Sequence, residues 1–202
     1  MPYTEKFEDA LVYAARLHRD QTRKGTGIPY VTHLLAVAAI VGENGGTEDE
    51  VVAALLHDAP EDAGGESRLA EIRSRFGDAV ADVVAGCTDT YEDPKPPWRE
   101  RKEAYLAHLA GAPAPVRLVS AADKLHNARS VLADQRAIGE DLWPRFNGGK
   151  RGTLWYYRAV ANTLAGDGPV AEELDRAVTE MERLAGAGPG RGSTPPFGVS
   201  GE

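Results

Sequence analysis

"VVAALLHDAPED" occupies residues 51–62. Six apolar residues, Val51 to Leu56, run into a His57-Asp58 pair, and a second ionisable pair, Glu61-Asp62, follows across Ala59 and Pro60. Upstream, Thr47 and Glu50 stand three residues apart, the spacing of a capping box, so a helix is expected to start just after Thr47. A helix apolar on all sides belongs in the middle of a fold. Pro60 has no N–H to offer the Leu56 carbonyl, so this helix is expected to kink or end there. The bend would then set the angle between the His57-Asp58 pair and the Glu61-Asp62 pair.

The segments around this stretch read as helices too. Phe7, Leu11, Ala14, Ala15 and Leu17 recur at helical spacing and predict a helix from about Thr4 to Arg19. The turn "GTGIPY" follows, and Thr32 is the expected N-cap of "HLLAVAAIVGE". Further helices are expected in "SRLAEIRSRF", ended by Gly77, and in "DAVADVVAGCTD", "WRERKEAYLAHL", "APVRLVSAADKLHNARSVLADQ", "GTLWYYRAVANTLAG" and "VAEELDRAVTEMERLAG". "YEDPKPPW", residues 91–98, reads as a loop. No stretch alternates as a half-buried strand does, so the expected class is all-α. Residues 1–184 form the expected single domain. Residues 185–202, with six glycines and three prolines, are expected to be a disordered tail.

Composition narrows the function. Apolar residues make up 42% and charged residues 27% of 202 residues, an ordinary globular balance. A net charge of −8 argues against a nucleic-acid polymer as partner, because binding one relies on a basic face. A small anion needs only a local cationic patch, and Arg16, Arg19, Arg23 and Lys24 cluster in sequence. No apolar run is long enough for a membrane span. A single cysteine and the lack of a secretory signal point to the cytoplasm.

Four residues stand out chemically. His33 begins the second helix, His57-Asp58 end the third, and Asp123 follows "LVSAA" on an apolar helix. A carboxylate buried without a partner is costly, and two brought together repel. A bound cation resolves both problems. Two imidazoles with two carboxylates, and no thiolate, suit an oxygen-tolerant divalent ion such as Mn²⁺, with zinc and iron as alternatives.

"HRDQTRKGTGIPYVTHLLAVA", "VAALLHDAPED", the "FGDAV…TD" segment and "ADKLHNARS" together resemble the hydrolase domain of the RelA/SpoT homologues, in the HD phosphohydrolase superfamily. The likeness runs from about residue 5 to residue 165 and is strongest to the stand-alone small alarmone hydrolases. It implies an HD-domain helical bundle with a buried metal site: His33, His57, Asp58 and Asp123 as Mn²⁺ ligands, and Glu61 and Asp62 orienting or deprotonating the attacking water. It further implies Arg23, Lys24, Asn127, Arg129 and Tyr156 as substrate contacts, and hydrolysis of (p)ppGpp to GDP or GTP and pyrophosphate. Action on another nucleotide phosphate such as NADPH, or nucleotide binding without turnover, are the alternatives. Leu34 stands where the family usually has proline, and Pro60 where it has an apolar residue before the Glu-Asp pair.

The remaining notable residues have plainer expectations. His18 suits a structural or supporting role. His126, three residues after Asp123, suits either core packing or support of the metal site. His108 is expected to be exposed and Cys87 small and buried; Trp143, Trp155 and Tyr157 are expected in the core.

Overall fold

The computed structural model describes residues 3–62, 64–91 and 94–186. Of the expected tail, residues 187–202 lie outside the described residues, and Ala185 closes the last helix as its C-cap. Ten α-helices follow one another among the described residues: α1 Glu5–Leu17, α2 Val31–Glu43, α3 Glu48–Leu56, α4 Ala59–Asp62, α5 Gly65–Phe76, α6 Asp78–Cys87, α7 Trp98–Ala110, α8 Ala114–Ile138, α9 Gly149–Thr163 and α10 Pro169–Leu184. A 3₁₀ segment, Gly139–Arg145, joins α8 to α9. The described residues hold no strand, only an isolated bridge between Thr22 and Pro29.

The central helix is α3. Thr47 caps it through the Glu50 N–H, and the Glu50 carboxylate accepts the Thr47 N–H at 2.6 Å in return, completing the capping box. Every residue from Val51 to Leu56 is buried, because α1, α2, α6 and α8 surround the helix. It ends at Leu56, with His57-Asp58 in the turn before the short α4, as Pro60 requires. The expected break is therefore present.

The 25-residue α8 is the second structural axis, packing against α2, α3, α6, α9 and α10. Gly86 lets α6 approach it: a Cβ there would stand 2.5 Å from Val116 Cγ2. The loop after α1 is held by paired backbone bonds, Arg23 N–H to Ile28 O at 2.8 Å and Tyr30 N–H to Gln21 O at 2.9 Å. That loop also corrects the start of α2. Tyr30, already in helical conformation, is the N-cap, and Thr32 lies inside the helix with its hydroxyl donating to Pro29 O at 2.8 Å.

The 3₁₀ segment has no counterpart among the expected helices; it spans the stretch between "APVRLVSAADKLHNARSVLADQ" and "GTLWYYRAVANTLAG". Trp143 and Tyr157 are buried in the core and His108 is exposed, as expected; Trp155 and Cys87 are only partly buried. The sequence-local basic cluster divides in space. Arg16 lines a groove with Asp9, Val12, Tyr13, Leu17 and Arg75, whereas Arg23 turns towards α8.

Candidate metal centre

Three elements converge beneath the loop after α1. His33, two residues into α2, is 1% exposed, and His57 at the C-cap of α3 is 2% exposed. The ligand-capable atoms of His33, His57 and Asp58 all lie within 4.8 Å of one another. Asp123, from the buried face of α8, adjoins both imidazoles. Its Oδ1 stands 3.2 Å from His33 Nε2 and 3.7 Å from His57 Nε2. Asp58 Oδ2 stands 3.6 and 3.0 Å from the same two nitrogens.

The ring orientation of His57 is fixed from behind. Its Nδ1–H donates to the Ala54 carbonyl at 2.8 Å, and a carbonyl can only accept, so the proton of the neutral ring sits on Nδ1. Among the described residues the buried Nε2 has no hydrogen-bond partner, and it is aimed at the carboxylates. A buried ring nitrogen left this way is costly unless something electrophilic meets it. Donors around one divalent ion with ~2.1 Å bonds stand about 3.0–3.4 Å apart, close to the spacing of these nitrogens and oxygens. The donor set therefore fits a divalent metal.

Further residues hold the carboxylates. The Tyr30 hydroxyl donates to Asp58 Oδ2 at 2.5 Å, and the buried His18 ring stacks on Tyr30 at 5.3 Å while its Nδ1 meets Gln21 Oε1 at 2.6 Å. On Asp123, Asn127 Nδ2 donates to Oδ1 and Lys124 Nζ to Oδ2, each at 2.5 Å. Burial alone would raise both carboxyls. The His57 charge beside Asp58 and the Lys124 ammonium beside Asp123 override it, and both are held well below the usual carboxylate range. Burial likewise works against a charged His57, but Asp58 and Asp123 raise it well above 6.5. The two carboxylates thus favour the charged form of His57.

A sequence profile described as the HD domain matches residues 10–143. The chain belongs to the HD-domain family. Within it the chain is a member of the RelA/SpoT homologues. The guanosine-3′,5′-bis(diphosphate) 3′-pyrophosphohydrolase MESH1 of Danio rerio is 39% identical over 122 residues, 59% of this chain and 65% of that protein. The Homo sapiens MESH1 is 39% identical over 126 residues, 61% of this chain and 68% of the relative. A solved structure described as a metazoan orthologue of SpoT that hydrolyses ppGpp superposes with a TM-score of 0.71 at 26% identity, covering 93% of this chain and 99% of its own.

The other residues singled out in this HD domain fall in several places. Glu61 lies on α4, beyond the break, with Oε1 2.8 Å from Lys95 Nζ. Glu61 and Asp62 thus lie on α4, while His57 and Asp58 lie in the turn that precedes it. The Asp62 side chain lies outside the described residues. Arg23 Nη2 donates to Asn127 Oδ1 at 2.7 Å, and Lys24 Nζ reaches Asn147 Oδ1 at 3.3 Å. Tyr156 is buried, with Lys102 Nζ 5.0 Å from its ring centre and a hydroxyl that has no hydrogen-bond partner among the described residues. Arg129 is not brought to this cluster: it faces α10, 3.6 Å from Glu173.

Tyr30, Lys95 and Lys124 were not among the residues picked from sequence. Lys124 could not be found from helical spacing, since neighbours on a helix point about 100° apart. Its long stem turns the ammonium back onto Asp123. Among the described residues no helix is long and apolar enough to cross a membrane.

Proposed function

We propose that this protein is a metal-dependent phosphohydrolase that removes the 3′-pyrophosphate of guanosine 3′,5′-bis(diphosphate), or of the related pentaphosphate, leaving GDP or GTP. We take Mn²⁺ as the ion and the cytoplasm as the compartment. The observation that carries the reading is the convergence of His33, His57, Asp58 and Asp123, in a chain whose relatives are named for that reaction.

A divalent ion held by these four side chains supplies positive charge for phosphoryl oxygens and makes a water acidic enough to attack near neutral pH. Glu61 and Asp62 take up the proton of the attacking water. The water oxygen bonds to the 3′-phosphorus, the bond from that phosphorus to ribose O3′ breaks, and O3′ receives a proton. Lys95, paired with Glu61, keeps its carboxylate oriented. Arg23, Lys24 and Asn127 bind the charged end of the substrate, where fixed cations offset the charge developing on phosphorus. Tyr156, with Lys102 Nζ 5.0 Å from its ring centre, is kept as a further substrate contact. Arg129, engaged with Glu173, is left out of the substrate contacts.

The test is hydrolysis by metal-stripped protein before and after Mn²⁺ is restored, with Glu61→Gln alongside. Pyrophosphate release is expected only with the ion, and a kcat lower by about 10²-fold or more in the variant at an unchanged melting temperature. Pyrophosphate release without metal, or none with it, contradicts the reading. A fully active Glu61→Gln removes the role given to Glu61.

A further inference from the structure

His126 lies outside the candidate ligand set, one helical turn along α8 from Asp123 and half-buried. Its Nδ1 stands 2.8 Å from Nδ1 of His33, with the two rings tilted at 40° and their centres 4.9 Å apart. Two ring nitrogens at that distance share one proton, and which ring carries it decides what His33 can do. When His126 donates, Nδ1 of a neutral His33 is the acceptor and its own proton sits on Nε2, facing Asp123 and Asp58. A protonated Nε2 has no lone pair for a metal. When His33 donates, Nε2 is free.

His57 shows how the fold treats the equivalent nitrogen: its Nδ1 is held by a carbonyl that only accepts. His33 stands near the start of its helix, where the Tyr30 carbonyl already takes the His33 backbone N–H at 2.9 Å, and its Nδ1 meets the His126 ring at 2.8 Å instead of a carbonyl. We infer that His126 is a positioning residue, accepting the His33 Nδ1–H and thereby keeping His33 Nε2 open to the ion. The metal is held through one imidazole oriented by backbone and one oriented by another imidazole, as outer partners orient ligating histidines elsewhere. This inference rests on the proposal that His33, His57, Asp58 and Asp123 bind a divalent ion.

The experiment is calorimetric titration of Mn²⁺ into chelator-treated wild type, His126→Leu and His126→Asn. Leucine removes the acceptor, whereas the asparagine carbonyl places one near the former Nδ1. His126→Leu is expected to weaken Mn²⁺ binding by roughly 10–100-fold, with the melting temperature of the metal-free protein close to that of wild type. His126→Asn is expected to recover most of the loss. His126→Leu within twofold of wild type, or His126→Asn as weak as His126→Leu, overturns the inference. A wild type that takes up no Mn²⁺ overturns the metal reading instead. A second measurement needs no variant: in zinc-loaded, ¹⁵N-labelled wild type, a scalar coupling across the hydrogen bond is expected between the two Nδ1 atoms, with the proton on His33. The proton on His126 Nδ1 contradicts the inference.

Discussion

Arg23 and Asp123 are linked through a single side chain. Asn127 accepts the Arg23 guanidinium on Oδ1 at 2.7 Å and donates from Nδ2 to Asp123 Oδ1 at 2.5 Å. The amide thus connects the loop after α1, where a substrate anion would arrive, to a carboxylate facing both buried imidazoles. Asn127→Ala breaks both contacts at once. Mn²⁺ affinity is expected to fall about tenfold, and KM to rise several-fold as Arg23 loses its anchor. Calorimetry and steady-state kinetics measure the two separately; a variant matching wild type in both denies the link.

Pro60 ends α3 and places Glu61 on a separate short helix. Pro60→Ala restores an N–H for the Leu56 carbonyl and lets the helix run on, turning Glu61 away from its present direction. The expected result is a kcat at least tenfold lower, with Mn²⁺ binding within a few-fold of wild type, since His57 and Asp58 precede the proline. Unchanged kcat with longer helix signals by NMR shows that the bend does not matter to the reaction.

The site also sets a pH dependence for the metal-free protein. His57 is raised above 6.5 in the fold, so its contribution is fully present below 6.5 and is lost as pH rises through the folded value. Asp58 and Asp123 are lowered below 3.8, so theirs is present above 3.8 and is lost as pH falls through the folded values. Urea midpoints of chelator-treated protein are therefore expected to decline above about pH 6.5 and again below about pH 3.8. Mn²⁺ affinity rises over the upper range, because the ion must displace the His57 proton. A midpoint that stays flat as pH rises from 6 to 10 contradicts the charged His57.

Much of this was readable in the chain itself. Val51 to Leu56 can only be central, and Thr47 with Glu50 marks where their helix begins. A carboxylate such as Asp123 after "LVSAA" needs a buried partner, which ties α8 to the His57-Asp58 turn. What was not readable depends on side-chain reach and on loops. The basic residues 16–24 look like one patch, but α1 carries Arg16 away while the loop bonds of Arg23 and Tyr30 turn Arg23 towards α8. Tyr30 gains its role because that loop places its hydroxyl on Asp58, which no periodicity encodes. Arg129, six residues after Asp123, has turned about 600° around α8 and so faces α10, whereas Asn127 at four residues returns to the same side.

Product identification tests the central claim most directly. Mn²⁺-loaded protein is incubated separately with guanosine 3′,5′-bis(diphosphate), the pentaphosphate, NADPH and GTP, and the products are resolved by ³¹P NMR and anion-exchange chromatography. The account predicts GDP and pyrophosphate in equal amounts from the tetraphosphate, GTP and pyrophosphate from the pentaphosphate, and neither product when His57 is replaced by alanine. Orthophosphate from NADPH with no pyrophosphate from either guanosine substrate would contradict it.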